Sequence, residues 1–260
     1  MSARVLGVVP ARIGSSRLPR KPLFPIAGRP LLEWVWRRAM GLAVFDAVVV
    51  ATDSAEVAEA CRGFGAEVRL TDPAHPSGTD RVAEVAGDPE FAGYEVIVNV
   101  QGDEPFLLAE HASAAIGLVR DGGWELGTVA TPIRTRAEWL EPSVVKVVRG
   151  DDGGALLFTR APVPHARDAE PEFSSGTYLR HVGLYAYRRD ALLRWVALPE
   201  GRLEQIEKLE QLRPLAAGMR MGVAVGPPAE GGIDTPADAE RAERLLRNES
   251  TPPATERAAE

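Results

Sequence analysis

The sequence predicts an α/β fold in which a mixed, mostly parallel central sheet carries helices on both faces. Short apolar runs of strand length, rich in β-branched residues, occur at 5–9, 47–52 and 96–100. Such nearly continuous runs are typical of parallel strands that are buried on both faces. Segments with helical patterning alternate with these runs, so the order is βαβαβ, as in a doubly wound sheet.

Two helices are predicted between these strands. The first occupies 30–40 and opens with Pro30, a residue suited to a first helical turn. The second occupies 54–65, with Ser54 as its N-cap and Gly65 at its end.

After Gly127 the pattern changes, because strand-like segments at 144–150, 154–164 and 178–189 follow one another without full helices between them. They predict a small antiparallel lobe over about 140–190 that serves as a lid or dimerisation surface. A strand at 219–226 and a last helix from Pro236 follow. We expect one domain over 1–247 and a disordered polar tail over 248–260.

A further helix is predicted at 203–213, where apolar residues recur at helical spacing. Its predicted core face consists of Leu203, Ile206, Leu209 and Leu212. On the residue pattern alone, its solvated side consists of Glu204, Glu207, Glu210 and Gln211.

The composition limits the possible partners. With 260 residues, 45% of them hydrophobic, the chain can bury a sizeable core. Its net charge of −7 argues against nucleic acid or an anionic membrane as a partner, so any anion site must be local. The single cysteine, Cys61, excludes an internal disulfide and a cysteine-cluster metal site. No apolar stretch approaches the ~20 residues of a membrane span, so a cytoplasmic location is the default.

A basic loop follows the first predicted strand, which ends at Pro10. The loop has small residues at 14–16, and its cationic side chains are Arg12, Arg17, Arg20 and Lys21. Ligands bind at the carboxyl ends of strands in such sheets, and small residues let backbone N–H groups approach phosphate oxygens. The loop is therefore either a polyphosphate cradle or a solvated basic segment; it matches neither GxxxxGK[ST] nor GxGxxG.

Acidic residues end the third predicted strand, in "VNVQGDEP". Carboxylates beside a phosphate loop suit Mg²⁺, and we prefer Asp103 over Glu104 as the ligand. The alternative is a polar turn that caps the next helix. Asp234 precedes the last helix, for which Thr235 is the expected N-cap, so Asp234 is available to face a site.

Two further segments have a functional and a structural interpretation. In "HPSGTDR", Ser77 begins a predicted helix, where it either caps the helix or contacts a nucleotide. In "YLRHVGLYAY", strand alternation places His181 and Tyr185 on the face opposite Arg180. A single histidine in a strand is usually a structural residue.

Taken together, these stretches resemble the 3-deoxy-manno-octulosonate (Kdo) cytidylyltransferases, or CMP-Kdo synthetases, over residues 4–246. The matching blocks occur in the family's order and are "PARIGSSRLPRKPL", "HPSGTDR", "VNVQGDEP", "VVKVV", "LRHVGLYAYR", "LEQIEKLEQLR" and "GIDTPADAE". The resemblance implies a Rossmann-like nucleotide-diphospho-sugar transferase fold, a homodimer, and Mg²⁺-dependent transfer from CTP to Kdo for lipopolysaccharide biosynthesis.

The resemblance also implies a role for individual residues. The CTP ligands would be Pro10, Ala11, Arg12, Arg17, Lys21, Ser77 and Gln101. Asp103 and Asp234 would hold Mg²⁺ and act in catalysis with Arg12 and Lys21. The Kdo ligands would be Arg160, His181, Tyr185, Glu210 and Gln211. Arg20, where many members have glycine, would be solvated.

Departures from the family pattern leave the acceptor open. Ser143 stands where members often have asparagine, and "PVPHARD" at 162–168 differs from the commoner aromatic-containing version. An amino-substituted Kdo or a sialic-acid-like nonulosonate is therefore an alternative acceptor. A non-catalytic nucleotide-binding protein is the alternative of another class, although Lys21, Asp103 and Asp234 are all present.

Overall fold

The computed structural model describes residues 3–14 and 18–249. Its strands are β1 (Val5–Pro10), β2 (Pro25–Ile26), β3 (Arg29–Pro30), β4 (Ala47–Thr52), β5 (Glu67–Leu70), β6 (Val96–Asn99), β7 (Leu126–Pro132), β8 (Lys146–Arg149), β9 (Ala155–Thr159), β10 (Leu179–Arg188) and β11 (Met221–Val225). Its α-helices are α1 (Leu31–Met40), α2 (Ala55–Gly63), α3 (Gly78–Gly87), α4 (Ala109–Arg120), α5 (Arg136–Leu140), α6 (Arg189–Ala197), α7 (Arg202–Glu207), α8 (Leu212–Ala216) and α9 (Pro236–Glu249). Short 3₁₀ helices occupy Lys21–Leu23, Pro89–Phe91 and Phe173–Ser175.

The central sheet has the strand order β11-β7-β10-β6-β1-β4-β5. Strand β10 runs antiparallel to its neighbours β6 and β7, and the other strands on this path run parallel to one another. The predicted mixed, mostly parallel sheet is confirmed.

Two hydrophobic cores lie on opposite faces of this sheet. Val5 and Val9 of β1 pack in one core, and Leu6 and Val8 pack in the other, as the alternation of side chains along a strand requires. Helices α1, α2, α4 and α9 contribute to the first core, and α3, α6 and α8 contribute to the second. The helices therefore cover both faces, as predicted.

The predicted ends of α2 are confirmed. The Ser54 hydroxyl accepts a hydrogen bond from the Val57 N–H at 3.3 Å, and Gly65 follows the helix with a φ of +83°. Pro30 was predicted to lie in the first turn of the helix. It instead pairs with Pro25 in the β2–β3 hairpin and directly precedes α1.

The predicted helix over 203–213 is wrong, because the chain breaks into α7 and α8 at Lys208, which has a φ of +54°. Its predicted core face is wrong in part, since Leu203 and Ile206 are exposed. Glu204 was predicted to be solvated but is buried. Arg213 explains this burial, because its guanidinium donates to both carboxylate oxygens of Glu204 at 2.6 and 2.8 Å.

The antiparallel lobe is smaller than the predicted span of 140–190. Strand β8 pairs with β9, and it pairs with β10 only through Leu179 and Arg180. The rest of β10 lies in the central sheet, since its second half pairs with β6. The use of the lobe as a lid or dimer surface stays a prediction.

The C-terminal helix runs two residues into the predicted tail, because α9 extends to Glu249. Residues 250–260 of that predicted tail lie outside the described residues. Across 3–14 and 18–249, no helix is both long enough and apolar enough to cross a bilayer.

Candidate active site

A cavity of about 360 Å³, here called the main cleft, opens at the carboxyl ends of β1 and β6. Its lining residues come from the basic loop, the loop after β6, the start of α3, and the segments around 210 and 234. They are Pro10, Ala11, Arg12, Gly14, Lys21, Pro22, Pro76, Ser77, Gly78, Arg81, Gln101, Gly102, Asp103, Glu210 and Asp234. Most of the predicted nucleotide and metal positions thus lie around one cavity.

Two close backbone contacts bring the loops of the main cleft together. A Cβ on Gly102 would lie only 2.6 Å from the carbonyl oxygen of Pro10, so only glycine lets the two loops approach this closely. The N–H of Ile233 donates to the carbonyl of Asp103 at 2.9 Å. This second contact places the residue after it, Asp234, beside Asp103.

The Lys21 ammonium bridges the two carboxylates. Its Nζ donates to Oδ1 of Asp234 at 2.8 Å and to Oδ2 of Asp103. Burial alone would lower the pKa of Lys21, but the charges and hydrogen bonds of both aspartates outweigh it and raise that pKa. Lys21 is therefore a firmly held cation between two anions.

These two carboxylates form a donor set that suits Mg²⁺. Two hard oxygen donors converge on a single cation, and both aspartate side chains keep some exposure, so phosphate and water oxygens could complete an octahedral shell. No group of three or more histidine, cysteine or acidic residues in the described part of the chain forms a metal cluster. The site therefore fits a metal ion that is coordinated both by these two carboxylates and by oxygens of a bound polyphosphate.

Glu104 differs from its neighbour Asp103, because it does not line the main cleft. It lines a separate cavity with Arg180, where burial and then the charge of Asp103 raise the pKa of Glu104 to about 8. Asp103, and not Glu104, lines the main cleft, and the preference for Asp103 as the metal ligand stays a prediction.

The basic loop divides into cleft and surface residues. Arg12 lines the main cleft and is exposed, whereas Arg20 pairs with Glu56 outside it with 62% of its side chain exposed. Arg20 was predicted to be the solvated member, and its exposure confirms this. Its φ of +55° is a conformation that glycine adopts without strain. The predicted CTP ligand Arg17 lies outside the described residues.

Both predicted helix caps are confirmed. The Ser77 hydroxyl accepts hydrogen bonds from the N–H groups of Thr79 and Asp80 at 3.1 and 3.3 Å. The Thr235 hydroxyl accepts one from the N–H of Asp238 at 3.3 Å, so Asp234 faces the cleft without serving as the cap. A nucleotide contact by Ser77 stays a prediction.

A second cavity of about 250 Å³, here called the side pocket, adjoins the main cleft. Its lining residues are Gly78, Thr79, Asn99, Gln101, Val145, His181, Gly183, Tyr185, Trp195, Lys208, Leu209, Glu210 and Gln211. It shares Gly78, Gln101 and Glu210 with the main cleft, so a molecule in one cavity borders a molecule in the other. Gln101 is anchored at this boundary, because its Nε2 donates to the Gly183 carbonyl at 2.8 Å.

His181 is a neutral imidazole of defined tautomer. The Thr128 hydroxyl donates its one proton to the Leu184 carbonyl at 2.7 Å, so Nε2 of His181, 2.9 Å from that hydroxyl, must be the donor between them. Nδ1 is then an acceptor. Burial lowers the pKa of His181 to about 3, so the ring stays neutral at physiological pH. His181 therefore has the internal hydrogen bond expected of a structural histidine, and its ring also lines the side pocket.

Aromatic rings support one wall of the side pocket. The Tyr185 ring lies 5.3 Å from that of His181 and 5.9 Å from that of Trp195, which confirms that Tyr185 and His181 share a face of β10. Glu210 lies opposite, and its carboxylate accepts a hydrogen bond from the Thr79 hydroxyl at 2.9 Å. Burial raises the pKa of Glu210, although the Thr79 hydrogen bond opposes that shift.

Arg160 is the predicted acceptor ligand that lines neither cavity. Its Nε donates to the Glu207 carbonyl at 2.9 Å and its Nη1 to the Pro142 carbonyl at 3.1 Å. Glu207 is the last residue of α7, where carbonyls lack a partner within the helix, so its carbonyl accepts from the guanidinium. Gln211, in contrast, does line the side pocket and is buried there.

Two cationic residues of these cavities were not predicted from the sequence. Arg81 lies within the quoted "HPSGTDR" block and lines the main cleft, but only the fold shows that it is buried there. Lys208 lines the side pocket because the left-handed backbone at this residue breaks the predicted helix. No periodicity in the sequence signals that break.

Comparison with known proteins identifies the family to which this chain is similar. A family described as cytidylyltransferase matches residues 6–221. The chain is 50% identical to the 3-deoxy-manno-octulosonate cytidylyltransferase of Gemmatimonas aurantiaca over 92% of both chains. It is 46% identical to the protein of that name from Halorhodospira halophila, over 93% of this chain and 96% of the relative.

Solved structures show the same fold. A CMP:2-keto-3-deoxy-manno-octonic acid synthetase complexed with CTP superposes with a TM-score of 0.87 at 40% identity, covering 95% of this chain and 100% of that one. The 4-diphosphocytidyl-2C-methyl-D-erythritol synthase of Anaerococcus prevotii, at 15% identity and a TM-score of 0.62 over 94% of this chain and 99% of that one, shares the fold alone. The chain therefore belongs to the 3-deoxy-manno-octulosonate cytidylyltransferase family.

Proposed function

We propose that this chain transfers the cytidylyl group of CTP to the anomeric hydroxyl of Kdo. The hydroxyl oxygen attacks the α-phosphorus in line and its proton passes to water, while the bond from that phosphorus to the β-phosphate oxygen breaks and pyrophosphate leaves. The products are CMP-Kdo and pyrophosphate. The observation that carries the proposal is the pair Asp103 and Asp234, held on Lys21 in a cleft that adjoins a second pocket.

The residues of the main cleft bind and orient the triphosphate. Arg12 and Lys21 supply cationic donors that offset charge on the leaving pyrophosphate. Asp103 and Asp234 would hold Mg²⁺, which when bound supplies charge neutralisation between these carboxylates and the phosphate oxygens. Because little covalent work falls to the protein, the rate enhancement comes mainly from positioning and electrostatics.

The side pocket is the site proposed for the acceptor. Nδ1 of His181 is an acceptor for a sugar hydroxyl, and the Glu210 carboxylate and Gln211 amide offer further hydrogen bonds to hydroxyl groups. The pocket adjoins the main cleft at Gln101 and Glu210, so an acceptor bound there lies next to the nucleotide. We include Arg160 as a ligand that would have to leave its carbonyl partners to reach the sugar.

We also propose that two copies associate through β9 and α7. Leu156 of β9 and Ile206 of α7 are 67% and 68% exposed, and Leu203 is exposed as well. Thr159 at the end of β9 donates to the Glu207 carboxylate at 2.6 Å, which joins the two elements. An apolar surface of this kind is typical of a protein interface.

Sedimentation should give a dimer, and the double variant Leu156→Glu with Ile206→Glu should give a monomer. Met40→Glu, on an exposed residue of α1, is the control; a double variant that stays dimeric excludes this surface.

The proposal includes a cytoplasmic role in supplying activated Kdo for lipopolysaccharide biosynthesis, which rests on the family's name and on CTP as co-substrate. Depleting the protein in its host should leave lipopolysaccharide without Kdo. Unchanged lipopolysaccharide would remove this part of the proposal and leave the reaction itself standing.

The decisive experiment is pyrophosphate release from CTP with purified protein, Mg²⁺ and Kdo. We expect turnover that needs all three components, with CMP-Kdo as the second product. Competition among Kdo, an amino-substituted Kdo and a nonulosonate then identifies the preferred acceptor. Tight CTP binding without pyrophosphate release for any acid would instead indicate a non-catalytic nucleotide-binding protein.

A further inference from the structure

We propose that Lys146 is a positioning residue for the acceptor, because it holds the loop 141–145 that forms one wall of the side pocket. The inference rests on the proposed use of the side pocket for the acceptor. Lys146 is the first residue of β8, and 0% of its surface is exposed. Lysine is almost never fully buried unless its charge is paired, so specific partners must compensate this ammonium.

The partners of Lys146 are backbone carbonyls and not a carboxylate. Its Nζ donates to the Val144 carbonyl at 2.7 Å and to the Glu141 carbonyl at 2.8 Å. Within 3–14 and 18–249 it has no ion pair, since the Glu141 carboxylate accepts from the Ser143 N–H at 2.9 Å. Burial lowers the pKa of Lys146, and the charge of Glu141 opposes this only in part. The two carbonyls therefore compensate the buried ammonium.

The bonds to Lys146 close the loop 141–145 into a compact turn. Inside the loop, the Val144 N–H donates to the Glu141 carbonyl at 3.2 Å. The Pro142 carbonyl accepts from Nη1 of Arg160 at 3.1 Å. Two cations thus hold three carbonyls of one short loop, Lys146 from a fully buried position and Arg160 through an exposed bond.

The same loop forms part of the side pocket. Val145 lines this pocket, and its carbonyl accepts from the N–H of His181 at 2.8 Å. Lys146 itself pairs in register with Arg180, the residue before His181 in β10. A shift of the loop would therefore move both an apolar wall of the pocket and the main chain of a residue proposed to bind the sugar.

The two cations differ in what they can do while the acceptor binds. Under the proposed function, Arg160 leaves the Pro142 and Glu207 carbonyls to reach the sugar. Lys146 does not line the side pocket, so it has no sugar to move to and keeps its two carbonyls. It then holds Val145 and His181 in place while Arg160 moves. A ligand-binding residue supported in this way is preorganised, which lowers the cost of binding.

Kinetics of Lys146→Met test this role, because methionine keeps an unbranched apolar side chain and lacks the ammonium donors. We expect the KM for Kdo to rise about tenfold or more, as for a displaced binding group. The affinity for CTP, measured by calorimetry without acceptor, should stay unchanged, since Lys146 and its loop do not line the main cleft. A merely structural role would reduce the amount of folded protein, and with it kcat, at an unchanged KM for Kdo. An unchanged KM for Kdo in folded Lys146→Met overturns the proposal.

A matched control separates positioning from a general loss of stability. Arg189→Met also removes a cation that donates to a backbone carbonyl, that of Phe91 at 2.6 Å, and neither residue lines the main cleft or the side pocket. It should leave the KM for Kdo unchanged; an equal rise in both variants contradicts the proposal. If Lys146→Met does not fold, Lys146→Gln keeps a neutral donor on a side chain too short for both carbonyls. It should raise the KM for Kdo as well, and an unchanged value there counts against the positioning role.

The two proposals fail in different ways. Absence of pyrophosphate release from the unmodified protein with every acid removes the proposed function, and the positioning role with it. Turnover by the unmodified protein, together with an unchanged KM for Kdo in folded Lys146→Met, removes the positioning role alone.

Discussion

The ammonium nitrogen of Lys21 lies 2.8 Å from Oδ1 of Asp234 and also contacts Asp103, so one side chain joins two carboxylates that are 131 positions apart in the chain. A divalent ion would need the same oxygen atoms. Under the proposed function, nucleotide binding would draw Lys21 onto the phosphates and release the two aspartates for the metal ion.

Removing Lys21 should strengthen metal binding in the absence of nucleotide. In Lys21→Met the two carboxylates lose the ammonium that occupies their oxygens, so we expect Mn²⁺ affinity to rise about tenfold or more. Titration followed by electron paramagnetic resonance measures this directly. Lys208→Met, which removes a cation from the neighbouring side pocket, is the control. Unchanged affinity in Lys21→Met would show that Lys21 does not compete for these oxygens.

Asp103→Asn should reduce kcat with CTP and Kdo by at least about 100-fold, because the amide cannot supply the anionic oxygen required at that position. The side chain is partly exposed, so thermal unfolding should change little. Asp152→Asn, on an exposed aspartate outside the main cleft, should retain full activity. Near-normal turnover in Asp103→Asn would contradict the metal assignment.

Arg20→Gly should be almost neutral. The substitution removes backbone strain of about 1 kcal/mol at a residue with left-handed φ. Two effects oppose this gain in stability: the exposed ion pair with Glu56, worth about 0–1 kcal/mol, is lost, and glycine raises the chain entropy of the unfolded state. We expect the free energy of unfolding to stay within about 1 kcal/mol of the wild-type value by urea titration. Arg20→Val should destabilise clearly, since a β-branched residue tolerates this φ poorly. Equal stability of the two variants would contradict the argument.

His181 should make stability depend on pH below neutrality. Its pKa of about 3 in the folded chain is below the ordinary value of 6.5, so the unfolded state binds the extra proton first. Its contribution is complete above pH 6.5 and is lost as the pH falls from 6.5 toward 3, by about 1.4 kcal/mol for each pH unit. Urea titrations at pH 7 and 5.5 should show this loss in the wild type and a smaller one in His181→Gln. An identical loss in both proteins would assign it to other groups.

Glu204→Gln should destabilise the turn that carries Glu210 and Gln211. The change leaves the Arg213 guanidinium without its carboxylate in a nearly buried position, which costs about 3–5 kcal/mol. Thermal unfolding should report the loss, and Glu200→Gln on exposed surface should not show it. If the double variant Glu204→Gln with Arg213→Met recovers stability, the cost belongs to the unpaired charge.

The hydrophobic pattern predicted the strands of the nucleotide half well, because β1, β4 and β6 are buried on both faces and leave an unambiguous apolar signal. The motifs then identified most residues of the main cleft. The elements that the pattern did not predict depend on tertiary contacts. The bond from Arg213 to Glu204 and the break at Lys208 overrode an apparently regular helical period. Strand β5 was missed because its side chains are largely exposed or half-buried and show no continuous apolar run.

The reversed direction of β10 separates two parts of the molecule that can change independently. Because β10 runs against both neighbours, His181 pairs with Ala130 in the second half of β7, and Tyr185 pairs with Asn99 at the end of β6. Substitutions in a single strand can therefore reshape the walls of the side pocket while the basic loop and the two aspartates keep their sequence. Directed evolution toward other acidic sugars should accordingly begin with residues 179–185.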